Sequence, residues 1–130
     1  MPKRDTRDRA RVIATNAQRD AVAVERMAPD AALADAVVGL HAQQAAEKYI
    51  KAVLAHRGVT YRRVHSITYL LGVLEDNDVP APPRAPALET LTPWAPQARY
   101  EDESDATLDR EQAIELVRGV RAWAEGELAG

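Results

Sequence analysis

No cysteine and no phenylalanine occur in the chain. The first absence excludes a disulfide framework, a thiolate nucleophile and a thiolate metal site. The second leaves the core to Ala, Leu, Val and Ile, helped by four Tyr, two Trp and two Met. No apolar run approaches the roughly 18 residues of a membrane span. Nor does an apolar stretch follow the charged residues 1–11, as a secretory signal would require. The expectation is a cytoplasmic protein without membrane association. Serine occurs only at Ser66 and Ser104, neither in a nucleophile elbow. Ser66 adjoins His65, but adjacent residues on a helix point in different directions, so no Ser–His pair is expected. GxxxxGK[ST], GxGxxG and HExxH are missing, which removes the common phosphate loops and the zinc-peptidase helix. Glu-x-x-His is missing too, so the carboxylate–imidazole set of di-iron bundles cannot be assembled. No metal site and no cofactor are expected.

What remains favours helix. The 130 residues are 46% apolar and 28% charged, the balance of one globular domain, with no internal repeat. Lys and Arg number 17 against 20 Asp and Glu, a net charge of −3. A mildly acidic chain is not a general DNA binder, because non-specific affinity comes from neutralised phosphates. Strand-type alternation is absent, and Ala, Leu, Glu, Arg and Gln predominate. A first helix is predicted from about Thr6, its cap, to Met27. A second runs from an Asp30 cap to Gly58, about 28 residues or 40 Å. A third covers about His65 to Glu75. Six of the eight prolines lie between Pro80 and Pro96, so residues 76–83 read as an extended crossover, followed by a short helix near Leu88–Leu91. A last helix starts at Asp109, with Gln112 completing a capping box.

Several positions stand out. Asp20 falls in the apolar stripe Ile13, Ala17, Val24, Met27 and needs a partner, for which Lys48 and Tyr49 are the candidates. Gln43, Gln44 and Lys48 occupy the centre of the longest helix, where an interface or a contact with Asp20 would account for them. Glu47 and Lys51 have the spacing of an ordinary exposed i,i+4 pair. From Lys48 to His65 there is no acid among five Lys and Arg, whereas Tyr100 to Glu111 holds six acids and one Arg. Either the two segments face each other or the basic one opens toward an anionic ligand. Candidate ligand contacts are Lys48, Lys51, Arg62, Arg63, His65 and Arg99, with Tyr100 placed to stack on a base. Trp123 lies beside the apolar face of the last helix, and core or dimer packing accounts for it. Trp94 is open between capping the bundle and an interface.

The run Gln43-Gln44-Ala45-Ala46-Glu47-Lys48-Tyr49-Ile50-Lys51-Ala52-Val53-Leu54, then His65-Ser66-Ile67 leading to Leu70-Leu71, then Ala98-Arg99-Tyr100, resembles the HEPN domain (higher eukaryotes and prokaryotes nucleotide-binding). The resemblance spans about residues 10–128, within a single domain covering 1–130. Asp20 falls where the family commonly has an acid in its first helix, whereas Glu101 replaces the proline that often follows the family's Arg-Tyr pair. The resemblance implies an all-α, up-and-down bundle of four to five helices that dimerises. It also implies an RNA-cleaving toxin, a partner of a nucleotidyltransferase in a toxin–antitoxin setting, or a nucleotide-binding accessory domain. The ribonuclease branch carries Arg, four to six residues, then His; Arg holds the phosphate while His transfers the proton. No arginine stands five to seven residues before His41, His56 or His65. Lys51 has that spacing before His56, but lysine lacks the guanidinium fork. No catalytic residue is therefore assigned. The expected function is a non-catalytic module, homodimeric, binding a nucleotide, RNA or other anion, or a nucleotidyltransferase. The alternatives are a nuclease with a non-standard site, using His65 with Arg62 or Arg99, and a purely structural interaction protein.

Overall fold

The computed structural model describes residues 2–96 and 107–130, and among these there is no strand. Helix α1 spans Pro2–Met27 and α2 spans Asp35–His56. Helix α3 covers Ile67–Asp76, α4 is the single turn Ala85–Leu88, and a 3-10 helix follows at Glu89–Trp94. The last helix, α5, covers Arg110–Leu128. No helix is long and apolar enough to cross a membrane among the described residues.

Helix α2 is the axis of the bundle. Helices α1, α3, α5 and the 3-10 helix all pack on it, so its buried residues, from Val38 to Ala55, lie around most of its circumference. Small side chains are what four-sided coverage requires, and Ala42, Ala45, Ala46, Ala52 and Ala55 provide them. Ala17, Ala21 and Val24 of α1, and Ala28 just after it, belong to the same apolar core, which α3 joins through Ile67, Leu70 and Leu74. Leu116, Val117, Val120 and Ala124 of α5 complete it. Trp94 lies face-on to Gly39, whose missing Cβ would stand 2.5–2.8 Å from the indole ring; it therefore closes the bundle beside α2. Trp123 is partly buried against the core and donates Nε1–H to the Pro80 carbonyl at 3.2 Å.

Several helix ends differ from the sequence reading. Helix α1 starts at Pro2 rather than Thr6; proline at the first helical position loses an N–H that has no helical partner anyway. Helix α2 is 22 residues long, and Asp30 does not cap it. Asp30 instead accepts from the Ala32 amide at 2.9 Å in a local turn. What fixes the 28–34 linker as a loop is Arg110. Its guanidinium donates to the carbonyls of Ala28, Asp30 and Leu33 and, through Nε, to Asp35 at 2.8 Å. At the other end Gly58, with φ +71°, stops α2 as expected, and the Val59 amide donates back to Leu54 at 2.9 Å. Helix α3 begins two residues later than predicted: Ser66 is its cap, accepting from the Tyr69 amide, and His65 stays outside the helix. The predicted short helix near Leu88 is two pieces, α4 and the 3-10 turn. Asp109 caps α5 by accepting from the Gln112 amide at 3.0 Å.

Candidate anion-binding cleft

Helical spacing builds the cleft. Arg9, Ile13 and Asn16 recur at four and three residues along α1, and Gln44, Glu47, Lys48 and Lys51 form the facing stripe on α2. The chain leaving Gly58 turns back over them and adds Tyr61, Arg63 and His65. Together they line an open cavity of about 460 Å³.

Glu47 is its anchor, with a side chain only 3% exposed. It accepts from Gln43 Nε2 at 3.1 Å, Lys51 Nζ at 2.9 Å and His65 Nδ1 at 2.9 Å. Gln43 is itself fully buried and accepts from Gln44 Nε2 at 2.7 Å. The polar centre of α2 is thus a connected network, and no buried side-chain N or O among the described residues lacks a partner. A carboxylate only accepts, so the Glu47 bond places the His65 hydrogen on Nδ1 and leaves Nε2 available. The sequence reading of Glu47–Lys51 as a surface pair needs correction: the turn carrying Tyr61 and His65 covers it, and Lys51 is 15% exposed.

Lys48 is engaged on the neighbouring edge, donating to Asp20 Oδ2 at 2.8 Å. Asp20 is 9% exposed and also meets His41 Nδ1, at 2.9 Å. It makes no bond to Tyr49. The carboxylates of Asp20 and Glu47 thereby offset Lys48 and Lys51, while Arg9 and Arg63 have no carboxylate partner among the described residues. Tyr61 lies between cations, its ring centroid 6.0 Å from Arg9 Cζ and 5.9 Å from Lys51 Nζ. Burial raises the Tyr61 phenol above its ordinary pKa, partly offset by the Arg9 guanidinium, so the ring stays neutral and keeps a donor.

Of the residues singled out from sequence, Lys48, Lys51, Arg63 and His65 meet in this cleft. Arg62 does not. Its guanidinium covers the Tyr69 ring at 4.7 Å and its amide donates to the Tyr69 hydroxyl at 3.0 Å. These contacts hold that phenol below its usual pKa. Arg99, Tyr100 and the acidic residues 101–106 lie outside the described residues. Arg9, Asn16, Gln44 and Tyr61 were not anticipated as lining. A signal for two of them existed, since Arg9 and Asn16 share the helical phase of Ile13. Among the described residues no three His, Asp or Glu side chains are grouped to hold a metal ion.

No curated protein and no solved structure matches the chain. A family model does: the HEPN domain aligns with residues 10–127, covering α2, the basic turn, α3 and all but the first turns of α1. The chain belongs to the HEPN domain family.

Proposed function

We propose that this cleft binds the phosphate of a nucleotide or of RNA, and that the chain serves as a non-catalytic HEPN module. One observation carries the reading. Arg9 and Arg63 line a concave site without carboxylate partners among the described residues, while the lining acid Glu47 already accepts from three side chains. Guanidinium groups fit phosphate oxygens in pairs, and a half-enclosed site strengthens that attraction. Tyr61 offers a neutral ring face beside the charge, suited to a base or ribose. Family membership supports the rest of the proposal: a cytoplasmic homodimer working with a nucleotidyltransferase in a toxin–antitoxin setting. Binding of AMP or a short oligoribonucleotide, followed by calorimetry, tests the site. Affinity should fall about tenfold or more in R9A/R63A. Equal affinity in wild type and variant would overturn the assignment.

A second reading has its own support. The Glu47–His65 bond orients an imidazole with a free Nε2 in a cleft also lined by Arg9, Lys48, Lys51 and Arg63, an arrangement able to take a proton from a ribose hydroxyl. This reading expects metal-independent cleavage of labelled RNA that disappears in His65→Ala. Intact RNA at high protein concentration removes it and leaves the binding role.

A further inference from the structure

The first cleft uses only one flank of α1. At about 100° per residue, Arg7 and Arg11 lie roughly 160–200° around the helix from Arg9, and they face a different cavity. It measures about 380 Å³ and lies between the first half of α1, the Tyr49–His56 face of α2 and the end of α5. We propose that this second cleft is a binding site for a small organic phosphate, separate from the site above.

Two independent observations support it. Arg7 and Arg11 stand at i,i+4 with no carboxylate partner among the described residues, a like-charge spacing that is unfavourable on a bare helix. Glu125 is the acid of the lining, and its charge is taken up by Arg121, whose Nε lies 2.7 Å away. An anion is what the remaining two guanidinium groups lack. Second, Tyr49 is only 2% exposed, yet its hydroxyl makes no hydrogen bond among the described residues. It is not sealed in the core either, because no buried side-chain oxygen there is left without a partner. The hydroxyl therefore reaches solvent through the cavity it lines. A nearly buried polar group waiting at the bottom of a cleft calls for a water or a ligand atom.

The walls define the ligand. Paired guanidinium groups at the mouth suit a phosphate monoester, and Ala10, Ala14 and Leu128 give an aliphatic side for its body. Tyr49 supplies a donor at depth, since burial raises its phenol pKa and keeps the proton on.

Phenyl phosphate is the probe, followed by backbone amide shifts of the full chain. Saturable shifts are expected at Tyr49, His56 and Arg121, with affinity about tenfold above that of inorganic phosphate because the ring is also held. R7Q/R11Q should weaken binding about tenfold or more, and Tyr49→Phe about fivefold. The R9A/R63A protein, with the first cleft disabled, should bind as the wild type does, so the two sites succeed or fail separately. The proposal is overturned by shifts confined to Tyr61 and His65, by unchanged affinity in R7Q/R11Q, by inorganic phosphate binding equally well, or by no saturable shift.

Discussion

Single side chains decide more here than their number suggests. Glu47 and Asp20 are both partly or wholly buried acids, but their surroundings differ. Glu47 is 3% exposed and holds three donors, whereas Asp20 is held by Lys48 and His41, themselves about one-third exposed. Removing a buried partner strands its mates, while water rescues exposed ones. Glu47→Ala should therefore cost about 3 kcal/mol and Asp20→Ala about 1–2 kcal/mol, read as a difference in urea unfolding free energy; the reverse order would contradict the burial. At Gly39 a methyl group would meet the Trp94 ring at 2.5–2.8 Å. Gly39→Ala should cost about 1–3 kcal/mol and change tryptophan fluorescence in the folded state, as Trp94 is displaced. The sequence showed that Asp20 needed a partner, since an acid in an apolar stripe is conspicuous. His41 was not identified, because one histidine six residues after the start of a helix carries no mark of its role.

Helix ends follow local chemistry, which the sequence showed at Gly58 and Asp109, whereas Ser66 was read as lying inside α3. Gly58 stops α2 in the left-handed conformation, and Asp109 and Ser66 cap α5 and α3 with their side chains. Gly58→Ala should lower stability by about 1 kcal/mol, seen as a lower midpoint in urea with an unchanged slope. The start of α2 was misread for a physical reason. Asp30 has the right residue type for a cap, but Arg110, 80 positions away, binds the linker carbonyls and holds it non-helical. No local pattern reveals such a contact. The cleft was legible to a similar extent: the α2 stripe and the basic turn could be read from spacing and charge, and Arg9 from its helical phase with Ile13, while Tyr61 enters through tertiary packing alone.

At the scale of the whole molecule, one ion-paired junction ties the starts of α2 and α5 together at one end of the bundle. Asp35 accepts from the Leu108 amide and from Arg110, and these bonds hold its carboxyl below the usual range. A group depressed in the folded state stabilises above its unfolded pKa, near 4, and that contribution disappears as pH falls through the folded value. The stability gap between wild type and Asp35→Asn should be full at pH 6 and shrink below about pH 4, measured by urea titration at each pH; a gap independent of pH would show the carboxylate charge to be irrelevant. Helix α1 has a larger geometric consequence. Its N-terminal half is the party wall of two cavities, with Arg9 on one side and Arg7 and Arg11 on the other. A tilt of that half-helix toward either room would narrow it and enlarge its neighbour, since one wall serves both.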